Sequence, residues 1–241
     1  MPENFKVFPI TEVEESEIEF ICQDWLPLPL KTVSILSAEG GIGKSWIVLQ
    51  AAMRYVKSDE GSKAFLWLSE DPQGISKNRA SLIAKKIINT DFQKFSNLAI
   101  CGSENSTLGI VYNNEKFKKF KEALKDYSLI ILDPLNGFFE GNENSNSEAK
   151  KFMLKFTQWA TDENKAILFV HHVDKKAGKS RGASAFRDAV RVSYEVEVDE
   201  NNPLQLNFNL DKDNYQAKAL LKEMPFSRVV FPNPKTARKK R

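Results

Sequence analysis

Eight consecutive residues, Ala38-Glu39-Gly40-Gly41-Ile42-Gly43-Lys44-Ser45, constrain this chain more than any other stretch. They fit the pattern G-x-x-x-x-G-K-[ST] with alanine in its first position. Small residues at this density let successive backbone N–H groups turn inward and cradle phosphates at a helix N-terminus. The context agrees with the motif. A β-branched run precedes it at 32–37, and an amphipathic pattern follows from Lys44 to about Val56. A strand, a glycine-rich turn and a helix in that order belong to an α/β fold. Residues Glu39, Gly40, Gly41, Ile42, Gly43, Lys44, Ser45 and Trp46 are therefore the candidate nucleotide-binding set. In it Lys44 reaches the β- and γ-phosphates, and the Ser45 hydroxyl ligates Mg²⁺.

The rest of the chain reads as further βα units on a parallel sheet. Short apolar runs at 64–69, 129–132 and 166–170 are the remaining buried strands. Helical patterns cover about 74–88, 115–126 and 147–163, and a short helix is expected around 14–20. After Val190 the texture shifts. Segments 194–198, 204–210, 217–221 and 228–231 read as successive antiparallel strands, with Asn201-Asn202-Pro203 as a turn. Two loops stand out: 137–147, rich in Asn, Ser and Glu, and 173–181, which carries Lys175, Lys176, Lys179 and Arg181.

Two strand ends carry acids. In an open α/β sheet the carboxyl ends of the strands form the ligand crevice. Leu129-Ile130-Ile131-Leu132-Asp133 delivers a carboxylate there, where Asp133 can join the magnesium shell beside Ser45. Phe65-Leu66-Trp67-Leu68-Ser69-Glu70-Asp71-Pro72 ends in two acids. Glu70 is the candidate for polarising an attacking water, and Asp71 is expected to cap the helix that starts at Pro72. The two histidines are adjacent, in Ile167-Leu168-Phe169-Val170-His171-His172. Neighbouring strand residues face opposite ways, so one can sense a phosphate while the other packs. His172 is the candidate sensor.

Composition sets the outer limits. At 241 residues, 41% of them hydrophobic, the chain has room for one large α/β domain. No apolar run approaches the roughly 20 residues that cross a bilayer, so no membrane association is expected. The N-terminus is acidic and lacks a signal-peptide pattern. The only cysteines, Cys22 and Cys101, lack metal-ligand spacing and read as reduced thiols of a cytoplasmic protein. The formal net charge of +3 is unevenly spread. Residues 1–24 hold seven acids against Lys6, whereas residues 235–241 hold five basic side chains and no acid. Any contact with nucleic acid thus has to come from local patches, for which the basic loop 173–181 and the basic tail are the candidates.

Phosphate loop, strand-end Glu, strand-end Asp, and strand-end His followed by a basic loop form an order that resembles the RecA-like ATPases. The chain looks, more narrowly, like the hexameric replicative helicases of the plasmid RepA type. That resemblance rests on Ser69-Glu70-Asp71-Pro72, Leu132-Asp133-Pro134-Leu135 and His171-His172. It extends through Arg181-Gly182-Ala183-Ser184, Asp188-Ala189-Val190-Arg191 and Lys212-Asp213-Asn214-Tyr215. It implies a RecA-like P-loop NTPase core of the α/β class, a mostly parallel central sheet with helices on both faces and a C-terminal antiparallel extension. It also implies an acidic lead-in at 1–24, an ATPase domain at 25–232 and a basic tail at 233–241.

In function, the resemblance implies ATP hydrolysis with Mg²⁺, a homo-oligomeric ring, a hexamer in that family, and movement on single-stranded DNA. Lys44, Glu70, His172 and Arg191 become the catalytic candidates, with Glu70 as base. Arg191 falls at the position of the arginine finger that completes a neighbouring subunit's site. Lys212 is assigned to the same interface, although Gln216 stands where the family often has glycine. Two other duties fit a compact ATPase core of this kind: a KaiC-like non-translocating switch, and a recombination accessory ATPase.

Overall fold

The computed structural model describes residues 7–23, 25–58, 60–142, 145–173, 181–199, 201–202 and 205–221, with the side chains of 181–184 and 221 excluded. The basic side chains of loop 173–181, the expected strand at 228–231 and the tail at 233–241 lie outside those residues.

The chain begins with β1 (Phe20–Ile21) and β2 (Leu28–Pro29), a short antiparallel pair. There follow β3 (Thr32–Ala38), α1 (Lys44–Ser58), β4 (Ala64–Leu68), α2 (Gln73–Ile83), β5 (Leu98–Cys101), α3 (Asn114–Ala123) and β6 (Leu129–Asp133). Then come α4 (Asn146–Asp162), β7 (Ala166–His172), α5 (Arg181–Ala189), β8 (Val192–Val198), β9 (Leu206–Asp213) and α6 (Ala217–Leu221). Seven strands form one sheet in the order β5-β4-β6-β7-β3-β8-β9. All neighbours are parallel except β8 and β9, so the antiparallel extension sits at one edge.

Strands β4 and β6 and residues 166–170 of β7 read as apolar runs because both sheet faces are covered, while β3 also buries Thr32 and Ser34. Alternate residues serve different cores. Leu66, Ile131, Leu168 and Leu36 pack with Ile47, Val48 and Met53 of α1 and with Ala80 and Ile83 of α2. Phe65, Ile130, Phe169 and Ile35 face the other way, toward Phe152, Phe156 and Trp159 of α4 and Phe186 of α5. This second core is aromatic. Phe156 meets Phe169 edge to face at 4.8 Å between centroids, and Phe139 meets Phe186 at 5.0 Å.

Several local expectations need correction. Residues 14–20 form no helix. A 3₁₀ turn lies earlier, at Ile10–Glu12, and Phe20 is already in β1. The reason is visible in Glu14, Glu15, Glu17 and Glu19, whose like charges at helical spacing oppose a helix with only Ile18 to bury between them. Segment Ala217–Leu221 is a helix rather than a strand. Its residues are good helix formers, and the Asp213 carboxylate accepts from the free N–H groups of Ala217 (2.8 Å) and Lys218 (3.0 Å). The helix expected to reach Ile88 leaves α geometry after Ile83. It finishes in a π-helical turn, Ala84–Ile88, closed by Asn89 with φ 49°. Four elements were not foreseen: the short antiparallel pair β1 and β2, the half-buried four-residue edge strand β5, and α5 behind the basic loop.

Candidate active site

The register of the sheet brings four strand ends to one edge. Ala38 of β3 pairs with His172 of β7, and Asp133 of β6 pairs with Leu68 of β4. The loop 39–43 leaves β3 from that edge. Gly41 (φ 80°) and Gly43 (φ 90°) occupy the left-handed region, which glycine alone enters without steric cost. Helix α1 then starts at Lys44, and the Gly43 carbonyl accepts from Trp46 N (3.1 Å) and Ile47 N (3.2 Å). This is the strand–loop–helix context that the motif requires.

Lys44 is buried at 4% exposure, and its ammonium donates to Ala38 O (3.0 Å) and Glu39 O (2.7 Å). Burial pulls its pKa down, while the charges of Asp133, Glu70 and Glu39 oppose that shift. The hydroxyl of Ser45 donates to Asp133 Oδ2 at 2.6 Å across 88 residues of sequence. Asp133 is itself 3% exposed. Burial raises its pKa to about 6, against the lowering effect of the Ser45 hydrogen bond. Lys44, Ser45 and Asp133 are thus assembled in one place.

Glu70 lies just past β4 and is exposed. Its Oε2 stands 3.9 Å from His172 Nε2. That nitrogen is buried and has no hydrogen-bond partner among the described residues, although the ring as a whole is partly exposed. The adjacent His171 turns the other way and packs beside Phe186 at 5.9 Å. Burial first, then the positive charges of His172 and Lys44, lower its pKa to about 4. His171 is therefore the packing histidine, and His172 is the one that faces the acid.

Asp71 is not the helix cap expected for it. The N-cap of α2 is Pro72 with no side-chain bond. The Asp71 carboxylate pairs instead with Arg79 on α2. The exposed Gln73 N–H is capped from elsewhere, by the Glu104 carboxylate at 2.9 Å. A proline already fixes the entry to the helix, which frees Asp71 for an ion pair. Arg79 also lies 5.7 Å from the centroid of the Trp46 ring. Its spacing eight residues after Asp71 offered no local signal in the sequence.

Arg191 and Lys212 lie elsewhere. Strand β8 is parallel to β3 with Val192 beside Ser34, so the exposed Arg191 stands level with the amino end of β3. Five residues separate that level from Ala38, about 17 Å of strand. Lys212 pairs with Ser193 on β9 and donates to Asp188 O (2.9 Å) and Arg187 O (3.4 Å). The two residues are close to each other and far from this chain's own phosphate loop. Gln216 takes φ 61°, a conformation that glycine adopts freely.

A phosphate-cradling loop with a paired Ser and Asp, set on a mostly parallel sheet with helices on both faces, defines a RecA-like P-loop ATPase. The chain belongs to the AAA domain family, whose model matches residues 11–178. Among solved structures it is similar to the ATPase domain of G40P, at 12% identity and a TM-score of 0.55 over 76% of this chain and 78% of that one. At that identity the likeness is one of fold. Among the described residues no helix is long and apolar enough to cross a membrane.

Proposed function

We propose that this chain is a magnesium-dependent ATPase that couples hydrolysis to movement along single-stranded DNA, as a ring-forming helicase of the RepA type. The observation that carries the ATPase chemistry is the 2.6 Å contact between Ser45 and Asp133, formed beside the Lys44 ammonium. An oxygen-only pair of this kind suits Mg²⁺, which keeps most of its waters and takes few protein ligands. Ser45 Oγ would hold the metal directly, with Asp133 holding its hydration shell. When bound, the metal neutralises charge between the β- and γ-phosphates. Lys44 would exchange its carbonyl contacts for phosphate oxygens, and residues 39–46 would line the rest of the nucleotide site.

Glu70 would accept a proton from the attacking water, since it stands at the sheet edge free of any strong partner among the described residues. His172, whose Nε2 stands 3.9 Å from the Glu70 carboxylate, would report on the γ-phosphate. The arrangement of Arg191 and Lys212 supports assembly. Residues so far from their own phosphate loop can serve a nucleotide only across a subunit boundary, and head-to-tail contacts of that kind close into rings. The basic loop 173–181 begins one residue after His172, so a shift at the phosphate can reach a DNA-contacting segment directly. The basic tail 233–241 supplies general attraction to phosphates.

The test is ATP hydrolysis with and without Mg²⁺ and single-stranded DNA, followed by strand displacement on forks with a 5′ or a 3′ tail. Stimulation by DNA with no displacement on either fork would refute the helicase reading and leave the ATPase intact.

A further inference from the structure

Glu70 is poorly fixed by its own contacts. Its side chain is 67% exposed, and among the described residues its ion-pair partner is His172, at a long 3.9 Å. The backbone that carries it must therefore set where it points, and that backbone is fastened at the next residue. The carbonyl of Asp71 accepts from Ser103 N at 3.0 Å, and the Asp71 carboxylate is held by Arg79. Gly102 closes the corner so tightly that a Cβ there would meet Gln73 N at 2.6 Å and Asp71 O at 2.7 Å. Arg79 extends the fastening further. Its guanidinium is 22% exposed and lies over Trp46, the residue after Ser45 in the first turn of α1. One side chain thus joins the Glu70 corner to the helix that carries the phosphate loop.

We propose that Arg79 is a positioning residue, which fixes Glu70 relative to the phosphate loop by pairing with Asp71 while stacking on Trp46. The role rests on the ATPase reading above. It needs arginine in particular, because a planar guanidinium can accept a ring on its face while its edge pairs with a carboxylate. A lysine can keep the pair but not the stack. Displacement of a reacting group by about 1 Å can cost on the order of a hundredfold in rate, so loosening this corner should act on turnover rather than on binding.

The experiment compares wild type, Arg79→Gln, Arg79→Lys, Asp71→Asn and the Arg79→Gln/Asp71→Asn double variant in the full chain. It reads kcat, KM, and affinity for the non-hydrolysable β,γ-imido analogue of ATP by calorimetry. Arg79→Gln should lower kcat by about tenfold to a hundredfold with analogue affinity within about twofold of wild type. Arg79→Lys should recover part of the loss. The double variant should be no slower than the slower single one, because both break one linkage. Unchanged kcat in an active protein, multiplying losses, or a fall in analogue affinity matching the fall in kcat would each overturn the proposal. The last would mean that Arg79 touches nucleotide. A wild-type protein without ATPase activity would instead refute the functional reading itself.

Discussion

Replacing Asp133 with asparagine should stabilise the protein while abolishing its activity. Asp133 is buried, and its pKa rises from 3.8 to about 6 on folding. Above pH 6 the folded chain carries an ionised carboxylate that it would rather hold protonated. The sign follows from linkage. Between pH 4 and pH 6 the folded state keeps a proton that the unfolded state has lost, so stability falls as pH rises through that window. A shift of roughly two units, at about 1.36 kcal/mol each, amounts to about 3 kcal/mol at pH 7 to 8. Asparagine preserves the acceptor for Ser45 Oγ and removes the charge. Asp133→Asn should therefore match wild type near pH 4 and exceed it by about 2–3 kcal/mol at pH 7.5, or roughly 4–12 °C in melting temperature. Urea denaturation at pH 4, 5, 6 and 7.5 provides the measurement. A variant no more stable than wild type at pH 7.5, or an advantage that does not change with pH, would refute the reasoning. Magnesium-dependent hydrolysis by the same variant should fall to background.

Lys44→Ala should abolish hydrolysis and weaken nucleotide binding, read by phosphate release and by calorimetry, because the phosphates lose their main side-chain partner. Glu70→Gln should bind ATP normally and not turn it over; hydrolysis at the wild-type rate would remove Glu70 from the role of base. Arg191→Ala and Lys44→Ala subunits, each inactive alone, should regain some activity when mixed, since a mixed boundary contains one intact site. A protein that remains monomeric with nucleotide and DNA, yet hydrolyses at full rate, would count against that boundary. Phe156→Ala, which empties a fully buried position against Phe169, should cost about 3–5 kcal/mol in urea denaturation without changing KM for ATP.

What the sequence disclosed depended on whether the governing contact was local. The strand–loop–helix at 32–58 was legible because its signals are local: the left-handed Gly41 and Gly43 stand in one turn between a buried strand and an amphipathic helix. Strands β4, β6 and β7 were legible because burial on both faces leaves an apolar run, and β3 because its β-branched residues lead straight into the glycine-rich loop. Strand β5 was missed because it is four residues long and half buried at the sheet edge, where no periodicity accumulates. Helix α6 was misread because its cap, Asp213, belongs to the preceding strand, and a short, mostly apolar segment of five residues does not by itself separate helix from strand. Asp71 was misread for a similar reason. An acid before a proline suggests a cap, and only the fold reveals that Arg79 competes for it. The split between the histidines followed from strand alternation alone, and their surroundings agree with it: His171 meets Phe186, and His172 meets Glu70.

The charge distribution at the sheet edge bears on why the proposed function would place a divalent cation there. Three carboxylates, Asp133, Glu70 and Glu39, act on Lys44, whose ammonium is already committed to two carbonyls. Positive charge at the loop is therefore outnumbered before any polyphosphate arrives. Under the proposed function, a triphosphate would add its own negative charge beside these acids, and Ser45 with Asp133 would hold a divalent cation that supplies the balancing positive charge. Among the described residues Glu70 has no ion-pair partner closer than His172 at 3.9 Å. In this structure the strong pair is made one residue later, by Asp71 and Arg79, which anchors the corner and leaves Glu70 available.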